Sequence, residues 1–117
     1  MIETRKNDSI VVEVVNPTAQ ATTNSYADVD GSLIDTLFQK SIAYTILNSD
    51  VANDLDWQVV ASNDNDSFVV VDAESTVQEA AVDSYAVTQA AYRYYKVQVK
   101  STVADTPAEA TVSGIAK

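Results

Sequence analysis

Tyr95-Lys96-Val97-Gln98-Val99-Lys100 alternates apolar and polar side chains without a break, and this stretch decides the fold class. A period of two sends successive side chains to opposite faces of an extended chain, so one face is buried and the other wet. The same period runs through Ile42, Tyr44 and Ile46, which alternate with Ser41, Ala43 and Thr45. It recurs in Leu55, Trp57, Val59 and Ala61, which alternate with Asp56, Gln58 and Val60. Val is the commonest residue, whereas Leu occurs only at Leu33, Leu37, Leu47 and Leu55, which is a strand composition. The pattern predicts strands near 9–16, 22–29, 40–48, 55–62, 67–73, 84–88, 92–101 and 109–116. About eight short strands separated by turns give an all-β fold, an antiparallel β-sandwich or jelly roll. Trp57, in mid-strand between Leu55 and Val59, is expected as the central core aromatic.

The turns must be built almost without glycine, since only Gly31 and Gly114 are present. Asn and Asp replace it, because their side chains bond the local backbone and they tolerate left-handed conformations. Asn48 to Asp54 and Asn63 to Asp66 stand where such turns are needed, and Ala104 to Glu109, with Pro107, reads as the loop of a C-terminal hairpin. Two places depart from the strand period. Leu33, Ile34, Leu37 and Phe38 are spaced for one helix face behind Ser32 and Asp35, which resemble an acidic capping box, so a short helical turn is one expectation there. Ser75 and Gln78 allow another single turn within Glu74 to Val82. Residues 1–8 are polar enough to form a mobile arm ahead of one domain over 9–117.

The chain has 117 residues, 7 Lys and Arg against 17 Asp and Glu, no His and no Cys, and a formal net charge of −10. At this length a single core forms without metal or disulfide staples. The lack of His and Cys removes the imidazole base, the thiolate nucleophile, the zinc finger and the Ser-His-Asp triad together. The acidic excess argues against nucleic acid, whose affinity comes mainly from Lys and Arg on phosphates. The apolar run Ile10 to Val15 is short and broken by Glu13, neither a signal peptide nor a membrane span. Carboxylate catalysis remains, as in glycoside hydrolysis, but a small sandwich with short loops leaves little room for a cleft. The expectation is a non-enzymatic, cofactor-free protein.

Three groups of residues are candidates for binding. Asp28-Val29-Asp30-Gly31 holds the first two oxygen ligands and the glycine of a calcium loop, without the distal bidentate Glu; the competing reading is an Asx turn. Tyr92-Arg93-Tyr94-Tyr95-Lys96 is the one aromatic and basic cluster. Alternation turns Tyr95 inward and leaves Tyr92 and Tyr94 on the face of Lys96, where they would stack on a sugar ring, anchor a protein interface, or pack across strands. In the N-terminal arm, Arg5 and Lys6 are expected to meet carboxylates on a partner.

The order Lys40-Ser41-Ile42-Ala43-Tyr44-Thr45-Ile46, then Asp56-Trp57-Gln58-Val59-Val60-Ala61-Ser62-Asn63-Asp64, then Tyr92 to Lys100, then Ala110-Thr111-Val112-Ser113-Gly114, resembles small all-β virion proteins of tailed bacteriophages. Such proteins decorate or reinforce capsids or form fibre parts. The same order also looks like discoidin-type jelly rolls, which bind sugars or lipids. The first resemblance implies a structural protein of the virion, made in the host cytoplasm, homo-oligomeric, and bound to the major capsid protein or another virion protein. The second implies a carbohydrate-binding module, with or without calcium.

Overall fold

The structure, a computed structural model, describes residues 2–6, 9–15, 19–37 and 41–117. Its strands are β1 (Ile2–Lys6), β2 (Ser9–Val15), β3 (Gln20–Ala21), β4 (Ala27–Asp28), β5 (Ile34–Asp35), β6 (Ile42–Asn48), β7 (Leu55–Ser62), β8 (Val69–Val77), β9 (Val82–Val87), β10 (Tyr94–Ser101) and β11 (Glu109–Ala116). They form two antiparallel sheets packed as a β-sandwich. The larger runs β1-β2-β11-β6-β9, with β3 also on β11; the smaller runs β4-β10-β7-β8, with β5 also on β10. The long central pairs hold unbroken register, Ala110↔Asn48 to Ala116↔Ile42 between β11 and β6, and Tyr94↔Ser62 to Ser101↔Leu55 between β10 and β7.

The alternation read from the sequence is the burial pattern of β6 and β10, whereas β7 is buried on both faces, Asp56, Val60 and Ser62 included. Ile42, Tyr44 and Ile46 from the larger sheet meet Trp57, Val59, Tyr95, Val97 and Val99 from the smaller one in a single core. Trp57 is buried, and its indole Nε1 donates to Asp83 Oδ2 at 3.0 Å, so the one polar atom of the ring is satisfied at the sandwich edge. Tyr44 crosses between the sheets. Its hydroxyl, with one proton to share, lies 2.7 Å from the Ser32 carbonyl oxygen and 2.9 Å from that of Tyr95. The ring lies across Gly114, its partner on β11, where an added Cβ would sit 2.6 Å from the Tyr44 ring and 2.8 Å from Ile34 Cδ1.

Eleven strands replace the expected eight for identifiable reasons. Of the strand predicted over 22–29 only Ala27–Asp28, β4, is strand, and β3 lies ahead of that range at Gln20–Ala21. β3 pairs with β11 and β4 with β10, so the chain changes sheets between them. The crossing is tied down by Thr22 and Asn24: Thr22 Oγ1 lies 2.9 Å from Ser101 Oγ and accepts the Ala108 N–H at 2.8 Å, while Asn24 and Asp105 exchange hydrogen bonds of 3.0 and 2.9 Å. The helical turn expected at 33–38 is instead β5. Ser32 does not cap a helix but is buried against β10, where its hydroxyl accepts from Val97 N at 3.1 Å. Asp35 accepts from Leu37 N at 3.0 Å, and Leu37 turns left-handed (φ 52°); Phe38 lies outside the described residues.

The stretch Glu74–Val82 holds no helical turn either. β8 runs on to Val77, past register shifts opposite Trp57 to Val60, and the chain turns at Gln78–Ala81 through a left-handed Ala80 (φ 54°). The segment 1–8, expected as an arm, contains β1, paired with β2 from Ile2↔Glu13 to Lys6↔Ser9, while Met1, Asn7 and Asp8 lie outside the described residues.

Candidate docking surfaces

β10 supplies the outer face of the smaller sheet, with Tyr94, Lys96, Gln98 and Lys100 pointing away from the core. Each of its cations is held by a carboxylate from another strand and by an aromatic ring. Lys96 Nζ donates to Asp28 Oδ2 of β4 at 2.8 Å and sits 4.1 Å from the Phe68 ring centre. Lys100 Nζ lies 4.0 Å from Asp56 Oδ2 of β7 and 5.2 Å from the Tyr26 ring centre. Arg93, just before β10, makes a two-pronged contact with Asp35 of β5, Nε and Nη2 each at 2.9 Å, and its guanidinium lies 5.1 Å from the Tyr94 ring centre.

The electrostatics follow from these contacts. Hydrogen bonds from Arg93 hold the Asp35 carboxyl below its ordinary range. Partial burial pushes the Asp28 carboxyl up, but the hydrogen bonds from Lys96 and Gln98 together outweigh it and leave the group below its ordinary value.

Tyr94 and Lys96 therefore share a face, as alternation predicts. Tyr92 does not join them: it precedes the strand and packs on the core, edge-on to Tyr95 with ring centres 6.3 Å apart and planes at 79°. Its place is set by the turn at 88–93, where the Tyr95 hydroxyl accepts the N–H groups of Ala91 and Tyr92, so strand alternation does not extend to it. Arg5 and Lys6 lie on β1, opposite Ile10 and Ser9.

Asp28 ends β4 and Asp30 lies in the turn Val29–Ser32 that follows it. Ser32 N donates to Val29 O at 3.1 Å with Gly31 at φ 79°, the positive φ that a type II turn requires at its third residue. Gln20 clamps this turn, donating to the Asp28 carbonyl at 2.9 Å and accepting from Asp30 N at 2.7 Å. Both Asp28 carboxylate oxygens are occupied, Oδ2 by Lys96 and Oδ1 by Gln98 at 2.9 Å. No cluster of three or more acidic side chains that could hold a metal ion occurs among the described residues. Beside the turn is a hollow of about 240 Å³ lined by Asp28, Asp30, Asn65, Phe68 and Lys96.

A second surface was not singled out by motif. On the outer face of the larger sheet three cross-strand rows follow from the register: Thr111, Leu47, Val82; then Val15, Ser113, Thr45, Ser84; then Glu13, Ile115, Ala43, Ala86. Glu13 is the one charged residue in them. A hollow of about 420 Å³ opens over Ala43, Ser113 and Gly114, with Val15 and Glu13 along one side. The signal was in the sequence: the outward positions of 41–47 and 111–115 carry no charge, whereas those of 96–100 do.

No protein-family model matches the sequence, and a search of curated proteins finds no relative. Solved structures do share the fold. A SPBc2 prophage-derived protein, YomS, matches over 91% of this chain and 91% of its own, with a TM-score of 0.60 at 12% identity. A protein described with Bacillus endospore appendages, a family of disulfide-linked pili, matches over 92% of this chain and 88% of its own, with a TM-score of 0.54 at 16% identity. PirA matches over 85% of this chain and 90% of its own, with a TM-score of 0.50 at 10% identity. At these identities the likeness is one of fold.

Proposed function

We propose that this chain is a non-enzymatic structural protein of a bacteriophage particle, which decorates or stabilises the shell by docking on the major capsid protein or another virion protein. The observation that carries the reading is the end-to-end correspondence with a prophage-derived protein, in which one sandwich accounts for about nine-tenths of both chains. The physical requirements agree. A particle component must fold without a cofactor and stay soluble before assembly; a core closed by Trp57 and Tyr44, on a chain of net charge −10, supports both. Several carboxylates carry structural contacts: Asp28 with Lys96, Asp35 with Arg93, and Asp56 with Thr76 and Thr102 at 2.7 Å each. No helix among the described residues is long and apolar enough to cross a membrane.

A sugar-binding module, the alternative, would use the hollow beside Asp28, and there Lys96 already covers the Phe68 ring and bonds the Asp28 carboxylate. Mass spectrometry of particles purified from the source tests the proposal. The expected result is this chain at an abundance comparable with the shell proteins, in a fixed ratio across preparations. Particles that lack it would overturn the reading.

A further inference from the structure

We infer that the outer face of the larger sheet is a docking surface for a second copy of this chain. This deepens the structural reading above, on which it rests for the idea that the molecule works through protein contacts, and it names the surface. Eleven side chains in three rows present Val, Leu, Ile, Ala, Thr and Ser, with Glu13 the one charge, on a molecule of net charge −10. Two such molecules repel wherever their acidic loops approach. This face is where a second copy meets least repulsion, whereas a basic partner would be drawn to the carboxylate-bearing turns instead.

Shape gives a second argument. Val15, 57% exposed, stands as a ridge directly beside the hollow over Ala43 and Ser113. Knob and hole lie on the same face, so a two-fold axis through it seats each Val15 in the other copy's hollow, the self-complementarity that an isologous contact needs. Glu13, on the rim of the hollow, is exposed next to Ile115.

The adjacent sheet edge offers less. In β9 the Asp83 carboxylate accepts the N–H of Ser84 at 2.8 Å as well as the Trp57 indole, which leaves one fewer free donor for strand addition. Area sets the strength. Four strands at about 4.8 Å spacing and three rows along them give roughly 400 Å² of flat face per copy. That is on the order of 1,000 Å² of accessible surface across both copies, the low end for specific interfaces, so the dimer is concentration-dependent.

Sedimentation velocity of the full chain from about 1 μM to about 1 mM, a range suited to interfaces of this size, reads the inference directly. The expected result is a monomer–dimer equilibrium that Val15→Glu weakens at least about tenfold, through one charge buried in each hollow, beside the other copy's Glu13. Val51→Glu, at a loop valine 83% exposed and outside the three rows, serves as the control and should match the parent. Thr45→Glu, exposed on the same face and lining the same hollow, provides an independent reading should Val15→Glu fail to fold. A parent that stays monomeric throughout, or a dimer that neither face variant weakens, overturns the inference. Particle mass spectrometry and solution sedimentation are separate readouts, so the virion role and the dimer face fail independently.

Discussion

Gly114→Ala adds one methyl group at a place where the sandwich has no room for it. The backbone there is ordinary strand, so the effect is steric rather than conformational. The new Cβ would lie 2.6 Å from Tyr44 Cδ1 and Cε1 and 2.8 Å from Ile34 Cδ1, all in the core. Overpacking of this kind costs about 1–3 kcal/mol. The ring cannot swing clear at low cost, since its hydroxyl is anchored to two carbonyls on the opposite side of the core, and leaving buried polar groups unpaired costs about 1–3 kcal/mol more. Loss of glycine's freedom in the unfolded chain returns about 0.4–1 kcal/mol. The net is a destabilisation of about 1–5 kcal/mol, and at about 4 °C per kcal/mol for a domain of this size the Tm falls by about 4–20 °C. Urea denaturation followed by the fluorescence of Trp57, the sole tryptophan, measures it. Tyr44→Phe sharpens the test: it should cost clearly less on the Gly114→Ala background than on the parent, because there the hydroxyl has already been displaced. A Gly114→Ala protein within about 0.5 kcal/mol of the parent, the range of inert surface changes, would refute the account of how the sheets are locked.

The 63–67 turn should make stability pH-dependent. Asp64 accepts from Ser62 Oγ, Ser67 N and Asp66 N, which hold its carboxyl down at about 2. A depressed carboxyl contributes stability that is full above its unfolded value near 4 and is lost as pH falls through about 2. Thermal melts of Asp64→Ala should therefore lie below the parent at pH 6 and converge with it near pH 2; a constant offset would count against the turn. Calcium, added to the parent at millimolar concentration, should leave the Tm unchanged, since an ion that bound only the folded state would raise it. A chelator-sensitive rise that Asp30→Ala abolishes would restore the calcium loop.

Period two was enough for β6, β10 and β11 because each buries one face against the other sheet, and the pattern of burial is then the pattern of sequence; β7 carries the period in its sequence but is buried on both faces. The short strands were not legible in the same way. β3, β4 and β5 are two residues long, too short for any period to register, and they are placed by contacts distant in sequence. Ser32 illustrates the difficulty. Locally it resembles a helix cap; in the fold its hydroxyl takes the Val97 N–H, 65 residues away. The turns divide similarly. Asn65 and Asp105 adopt the left-handed conformations that Asn and Asp allow, but Leu37 and Ala80 adopt them too, and no local property of Leu or Ala announces it. Among the binding candidates, alternation placed Tyr94 and Lys96 correctly and failed at Tyr92, which belongs to a turn.

The ion pairs of β10 bear on where recognition takes place. β4 and β5 each meet β10 over only two residue pairs, and each is also pinned to it by an ion pair, Asp28 with Lys96 and Asp35 with Arg93. These cations are thus committed to holding short strands, which leaves association to a surface that carries almost no charge. Salt separates the two possibilities. The Debye length shrinks from about 30 Å at 0.01 M to about 3 Å at 1 M, which removes the mutual repulsion of two chains of charge −10 while sparing apolar contact. Self-association through the larger sheet should strengthen as salt is raised across this range, whereas association through Arg93, Lys96 and Lys100 on partner carboxylates would weaken. Sedimentation at several salt concentrations, with protein concentration held fixed, gives the sign; a dimer that falls apart in high salt would move the interface to the β10 face.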